Sequence, residues 1–148
     1  MKCKSPLFVL FVSYFTILTV LLFWRRPDGL GFGIDALRSR LESSVNLIPF
    51  HTLDSYKSAY LAGNMSSSTY YLNIYGNAIL FCPMGVLFPN IFRKKLSFFP
   101  SIFIILGIIV AFELLQLVFG VGRADIDDVI LNLLGAVIGR ILIYKMIK

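Results

Sequence analysis

Three pairs of polar residues interrupt otherwise apolar stretches: Asn73 with Asn77, Glu113 with Gln116, and Asp128 with Asn132. The spacings are three or four residues, so on a helix each pair occupies one face. Side chains of these types hydrogen-bond a polar ligand, and a partly desolvated Glu113 has the chemistry of an acid/base. Arg123, Asp125, Asp127 and Asp128 form a charged run just ahead of the last apolar stretch. With Glu113, their carboxylates are hard oxygen ligands of the kind that suits Mg²⁺ or Ca²⁺. The run lacks the glycine and the length of an EF-hand loop, however, and Asp127 and Asp128 point differently if they begin a helix. No metal and no other cofactor is expected. The single histidine, His51, has no serine or cysteine partner at motif spacing, and Cys3 and Cys82 lie away from the polar pairs. The glycines of 29–33 are not followed by the Lys-Ser/Thr pair of a phosphate-cradling loop. No catalytic residue is assigned, and the reading leans away from an enzyme.

Composition says what must hold these residues. A chain of 148 residues is one domain of ordinary size. Apolar residues make up 57% and charged residues 15%, against about 25% charged in soluble domains. The mean hydropathy is +0.81. Disorder is excluded, because such a chain buries apolar surface readily. Two cysteines, one inside an apolar run, exclude a disulfide scaffold. A net charge of +6 invites a nucleic-acid reading, but the lysines and arginines collect at the ends of apolar runs. Membrane proteins place basic residues this way, so no nucleic-acid partner is expected. The fold class is an all-α integral membrane bundle, 1–148 forming a single domain.

Four apolar runs read as transmembrane helices, at 7–24, 72–91, 98–119 and 129–147. The first covers roughly 27 Å, close to one hydrocarbon core. Lys2 and Lys4 precede it and no small-x-small cleavage site follows, so a retained anchor is expected. Trp24 sits where an aromatic belt would. Pro83 should kink the second run and free a carbonyl that a neighbour must satisfy. Gly135 and Gly139 make a small-xxx-small pair, a sign of close helix contact, although glycine is common in membrane helices generally. Between the first two runs, Ile34, Leu37, Leu41 and Val45 recur at helical spacing and predict a short amphipathic helix. Leu53, Tyr56 and Tyr60 give a second, weaker stripe, with Thr52 as its cap and Gly63-Asn64 as its stop. Residues 66–69 read as a loop.

Four spans place both termini on one side. That side carries Lys2, Lys4, Arg93, Lys94, Lys95, Lys145 and Lys148 in very short segments. The opposite side spreads Arg25, Arg26, Arg38, Arg40, Lys57 and Arg123 over much longer ones. By density, cytoplasmic termini and an extracytoplasmic loop at 25–71 are expected. On that topology Asn73, Asn77, Glu113, Gln116 and Asn132 all lie near the outer membrane face, and no equivalent cluster is read at the inner one. Polar groups at that depth must face a bundle interior or a wet cavity. The expected site is an outward polar pocket floored by Asn77, Glu113, Gln116 and Asn132, with Arg123, Asp125, Asp127 and Asp128 at its rim. For any single residue, hydrogen bonding between helices or capping is the stronger explanation. For the whole set at one face, a binding site is. Asp125 or Asp128 is the expected N-cap of the last span, with Arg123 close to Glu113 or Asp127.

The same residues carry a family resemblance. Asn46-Leu-Ile-Pro49-Phe50, then Asn73-x-x-Gly76-Asn77-x-x-Leu80-Phe81-x-Pro83-x-Gly85, then Phe112-Glu113-x-x-Gln116, and last Arg123-x-Asp125-x-Asp127-Asp128-x-x-x-Asn132-x-x-Gly135 occur in that order. Their order and spacing resemble the VanZ-like family of small bacterial membrane proteins. The resemblance implies a cell-envelope protein of the bacterial membrane. It also points to antibiotic resistance, because the family's namesake is associated with resistance to teicoplanin, a glycopeptide with a lipid tail. The namesake resembles a longer form with a further hydrophobic segment at its C-terminus. The expected partner is a membrane lipid or lipid-linked envelope precursor, or a lipoglycopeptide. Two alternatives stand beside a non-catalytic binding protein: an enzyme acting on a lipid-linked substrate with Glu113 as acid/base, and an accessory subunit whose motifs only hold the bundle together.

Overall fold

The computed structural model describes residues 5–24, 28–29, 31–91 and 96–147. Six α-helices appear among them: α1 (Ser5–Phe23), α2 (Ile34–Ser43), α3 (His51–Leu61), α4 (Ser67–Leu87), α5 (Phe98–Phe119) and α6 (Ile126–Ile147). A 3-10 turn at Phe88–Asn90 extends α4, and two short strands, β1 (Val45–Asn46) and β2 (Ala124–Asp125), pair in parallel. Three segments are long and apolar enough to cross a membrane: Pro6–Phe23, Ser67–Asn90 and Phe98–Phe119. The all-helical reading therefore holds, with three candidate spans among the described residues. At 22 residues α6 has the length, but Asp127, Asp128 and Arg140 sit on it.

α6 nevertheless runs alongside α4 in direct backbone contact. A Cβ at Gly135 would collide with the carbonyl of Ala78, one at Gly139 with that of Cys82, and one at Gly85 with that of Ala136. The small-residue pair thus brings two helix backbones together, as close packing in lipid requires. Leu18, Phe81, Met84, Ile105, Ile109, Phe112 and Ala136 form the core. Phe112 is its hub, its ring 5.5 Å from that of Phe15 and 6.4 Å from that of Phe81. In lipid, such contacts stabilise by packing rather than by withdrawal from water. Large apolar residues such as Val9, Ile17, Leu72, Ile79, Phe99 and Phe103 point outward, as a lipid-facing belt does. Tyr14 donates to the Leu80 carbonyl at 2.7 Å, one residue on from the carbonyl that Pro83 leaves without a helical donor.

α4 begins at Ser67, earlier than the expected 72, because Ser66 caps it by accepting from the Thr69 amide at 3.2 Å. The stretch read as a loop is the first turn of the helix. The amphipathic helix expected from Ile34 is α2, but its buried residue is Arg40, while Ile34 and Leu41 are exposed. Two of the four stripe positions thus face out of the bundle, while Leu37 and Val45 are half-buried. Arg40 forks onto Asp28 (Nε to Oδ2 2.7 Å, Nη2 to Oδ1 2.8 Å) and donates to the carbonyls of Gly31 and Val118. Hydrogen bonding to Asp28 raises the Arg40 pKa further, so the group stays charged. Gly120 closes α5 with a φ of 65°, and a Cβ there would strike Arg40 and Asp28. One glycine thus serves both the left-handed cap and the close approach.

Two polar groups are also buried at the far end of the bundle, contrary to the reading of one polar face. Arg140 donates to the Leu96 carbonyl at 2.8 Å, and Asn90 donates to that of Val86 at 2.7 Å. Many of the basic residues used to orient the chain, Lys2, Lys4, Arg25, Arg26, Arg93, Lys94, Lys95 and Lys148, lie outside the described residues, as does Cys3.

Candidate functional site

The site is built where α3, α4, α5 and α6 meet the β1–β2 ladder. Pairing Val45 with Ala124 and Asn46 with Asp125 pulls the loop between α2 and α3 onto the start of α6. Asn46 then donates to Asp125 Oδ1 at 3.1 Å, and the Thr52 hydroxyl donates to Oδ2. Asp125 also accepts the Asp127 amide at 2.9 Å, which makes it the N-cap of α6. Asp127, only 1% exposed, accepts the backbone amides of Phe50, Thr52 and Leu53. These are the unpaired donors at the positive end of α3, so a carboxylate from α6 caps a helix about 75 residues away in sequence. The expected cap of α3, Thr52, is instead spent on Asp125. Phe50 enters the helix with a φ of 67°, a left-handed conformation that the Asp127 contact holds. The expectation that Asp127 is a ligand residue gives way here to a structural role.

Next to this anchorage lies a cavity of about 140 Å³. Asn73, Asn77, Glu113, Gln116, Arg123, Asp128 and Asn132 all line it, joined by Tyr56, Gly122 and apolar residues of α1 and α4. Side chains from three long helices therefore line one cavity. Asn77 donates to Asp128 Oδ1 at 2.6 Å, and Gln116 donates to the Leu22 carbonyl at 2.9 Å, tying α5 to α1. Glu113 is 6% exposed and its Oε2 has no partner; Asn132 is 3% exposed and its Oδ1 has none either. Both unmet acceptors belong to residues that line this cavity. Asp127 lines neither this cavity nor its neighbour.

The neighbouring cavity, about 180 Å³, is lined by His51, Thr52, Ser55 and Asp125. It shares Tyr56, Gly122, Arg123 and Asp128 with the first. Arg123 is exposed and forms no ion pair among the described residues, so the expected pairing with Glu113 or Asp127 is absent. Asp127 has no room for it, being taken up by backbone donors. Tyr56 was legible only as one position of a weak stripe, and the buried Arg40–Asp28 pair had no spacing signal at all. An apolar groove of about 520 Å³ runs between α1 and α5, with Phe15, Phe23, Phe112 and Phe119 among its walls. Phe112 and Glu113 are consecutive, as are Leu22 and Phe23, so groove and polar cavity lie at one level of the bundle.

An all-helical bundle with three candidate spans and a polar cavity is the frame into which the comparisons fit. The profile of the VanZ/LLP1 family matches residues 11–148, and the chain belongs to that family. It is 28% identical over 120 residues to Protein VanZ of Enterococcus faecium, a match covering 81% of this chain and 65% of that protein. The matched region thus spans just under two thirds of its relative. No solved structure matches.

Proposed function

We propose that this protein is a non-catalytic cell-envelope membrane protein whose polar cavity binds the headgroup of a lipid or lipid-linked envelope precursor. The observation that carries the reading is the convergence of Asn73, Asn77, Glu113, Gln116, Asp128 and Asn132 on one cavity with two unmet buried acceptors. A buried polar atom without a partner is costly; Asn90 Oδ1 and Arg140 Nε are unmet too, at the far end of the bundle, whereas Glu113 and Asn132 line one cavity together. The size of the cavity narrows the ligand. Sites that enclose drug-sized molecules run to roughly 300–1,000 Å³, whereas this one is about 140 Å³. A headgroup fits, and a whole lipoglycopeptide does not. The apolar groove at the same level suits an acyl chain. Tolerance to teicoplanin-type drugs, implied by the family resemblance, is then an effect on the envelope or the capture of one polar group of the drug.

In this reading α6 is a fourth span, which its close backbone contact with α4 at Ala78 and Cys82 supports. Both termini are cytoplasmic and the cavity opens outward. The test is to purify the full chain in a mild detergent and identify retained lipids by mass spectrometry. One lipid class should be enriched over bulk membrane and be lost from Glu113→Gln. Retention that mirrors bulk composition in both proteins contradicts the proposal.

A further inference from the structure

The atoms left unmet in the cavity define the chemistry of its ligand more narrowly than "polar". Glu113 Oε2 and Asn132 Oδ1 are both acceptors, both more than nine-tenths buried, and both without a partner. Two of the donors nearby are engaged: the Asn77 amide nitrogen on Asp128 and the Gln116 amide nitrogen on Leu22. The fully buried atoms left without a partner at this site are both acceptor oxygens, and the Asp128 carboxylate lines the same cavity. A ligand that fills this space has to donate hydrogen bonds, and one that also carries positive charge offsets the desolvated carboxylate. Arg123 has the opposite character. It is exposed, lies in the wall shared by the two cavities, and makes no ion pair among the described residues.

We propose that the cavity binds a primary ammonium group, with its N–H bonds on Glu113 and Asn132 and an attached phosphate on Arg123. This deepens the headgroup reading and rests on it. A primary ammonium has three donors and no acceptor, matching these two unmet oxygens. Arg123 is a planar fork suited to phosphate oxygens. The pattern from floor to mouth, acceptors and then a cation, is complementary to a phosphoethanolamine headgroup entering ammonium first. A trimethylated ammonium has the same charge but no N–H, and a glycerol headgroup has hydroxyl donors but no charge. The same ammonium could come from a lipid or from a soluble amine.

The full chain, delipidated in detergent, is offered equal amounts of phosphatidylethanolamine, phosphatidylcholine and phosphatidylglycerol with identical acyl chains, and the complexes are counted by native mass spectrometry. Charge-assisted hydrogen bonds predict retention of the ethanolamine lipid over the choline lipid by about tenfold or more. Glu113→Gln and Asn132→Ala should each erase that preference, so the proposal survives if one of them fails to fold. Arg123→Ala, a change at an exposed position, should weaken the lipid but leave free ethanolamine unaffected. Competition by free ethanolamine at matched concentration assigns the ammonium to a soluble amine, and failure to compete assigns it to the lipid; both support the ammonium site. Equal retention of ethanolamine and choline lipids overturns it, as does displacement by Mg²⁺ but not by ethanolamine. If phosphatidylglycerol binds best and is lost from Glu113→Gln, the headgroup reading stands and the ammonium falls. If nothing binds above background, both fall.

Discussion

The charged run at Arg123–Asp128 shows how far residue types carry an argument. Read along the sequence, its carboxylates are equivalent members of a pocket rim. In space they divide: Asp125 caps its own helix and takes Asn46 and Thr52, Asp127 caps α3, and Asp128 faces the cavity with Asn77. The division was not legible because the partners of Asp127 are backbone amides, which every residue carries and no side-chain pattern marks. The Asn46-to-Phe50 segment stands out in sequence as a motif, but its role in meeting Asp125 and Asp127 depends on the pairing of β1 with β2. Asp127→Ala should leave the three N-terminal amides of α3 unmet and lower stability by about 1–3 kcal/mol. Thermal unfolding in detergent and limited proteolysis should show a lower midpoint and faster cleavage within residues 47–66. An unchanged midpoint and cleavage pattern would contradict the capping role.

At the scale of elements, apolar runs located the long helices well and their ends less well. α5 falls at the expected 98–119 because Ser97 and Gly120 bound it sharply. α4 and α6 each start earlier than their apolar runs, since Ser66 and Asp125 as caps draw polar residues into the first turn. The glycine spacing on α6 was ambiguous in sequence, and the structure resolves it as contact between two backbones. Gly139→Leu should therefore drive α6 off the Cys82 carbonyl and sharply reduce accumulation of the protein in the membrane. Gly76→Ala is the matched control within α4, because a Cβ there meets nothing within 4 Å. Immunoblots of membrane fractions should show loss in the first variant and wild-type amounts in the second. Equal accumulation of both would show that α4 and α6 do not rely on close approach.

At the scale of the molecule, the account predicts an outward-opening cavity held by a bundle with cytoplasmic termini. A cysteine at Ser67, exposed at the start of α4, should react with an impermeant thiol reagent in intact cells when Cys3 and Cys82 have been replaced. Labelling at Ser97, before α5, in place of Ser67 would invert the topology. That polar residues of three long helices line one cavity was legible in part because position along a long apolar helix fixes height in the bundle. The central claim is that this convergence is a working site rather than a means of holding helices together, and Glu113 tests it most directly. Glu113→Gln keeps the shape of the side chain but cannot ionise, while Glu113→Leu removes its polar atoms altogether. The two variants should be compared for membrane abundance and for tolerance to a lipoglycopeptide of the teicoplanin type. The account predicts that Glu113→Gln accumulates normally and has lost function, and that Glu113→Leu has lost function as well. A Glu113→Gln protein that is both normally abundant and fully active would contradict it.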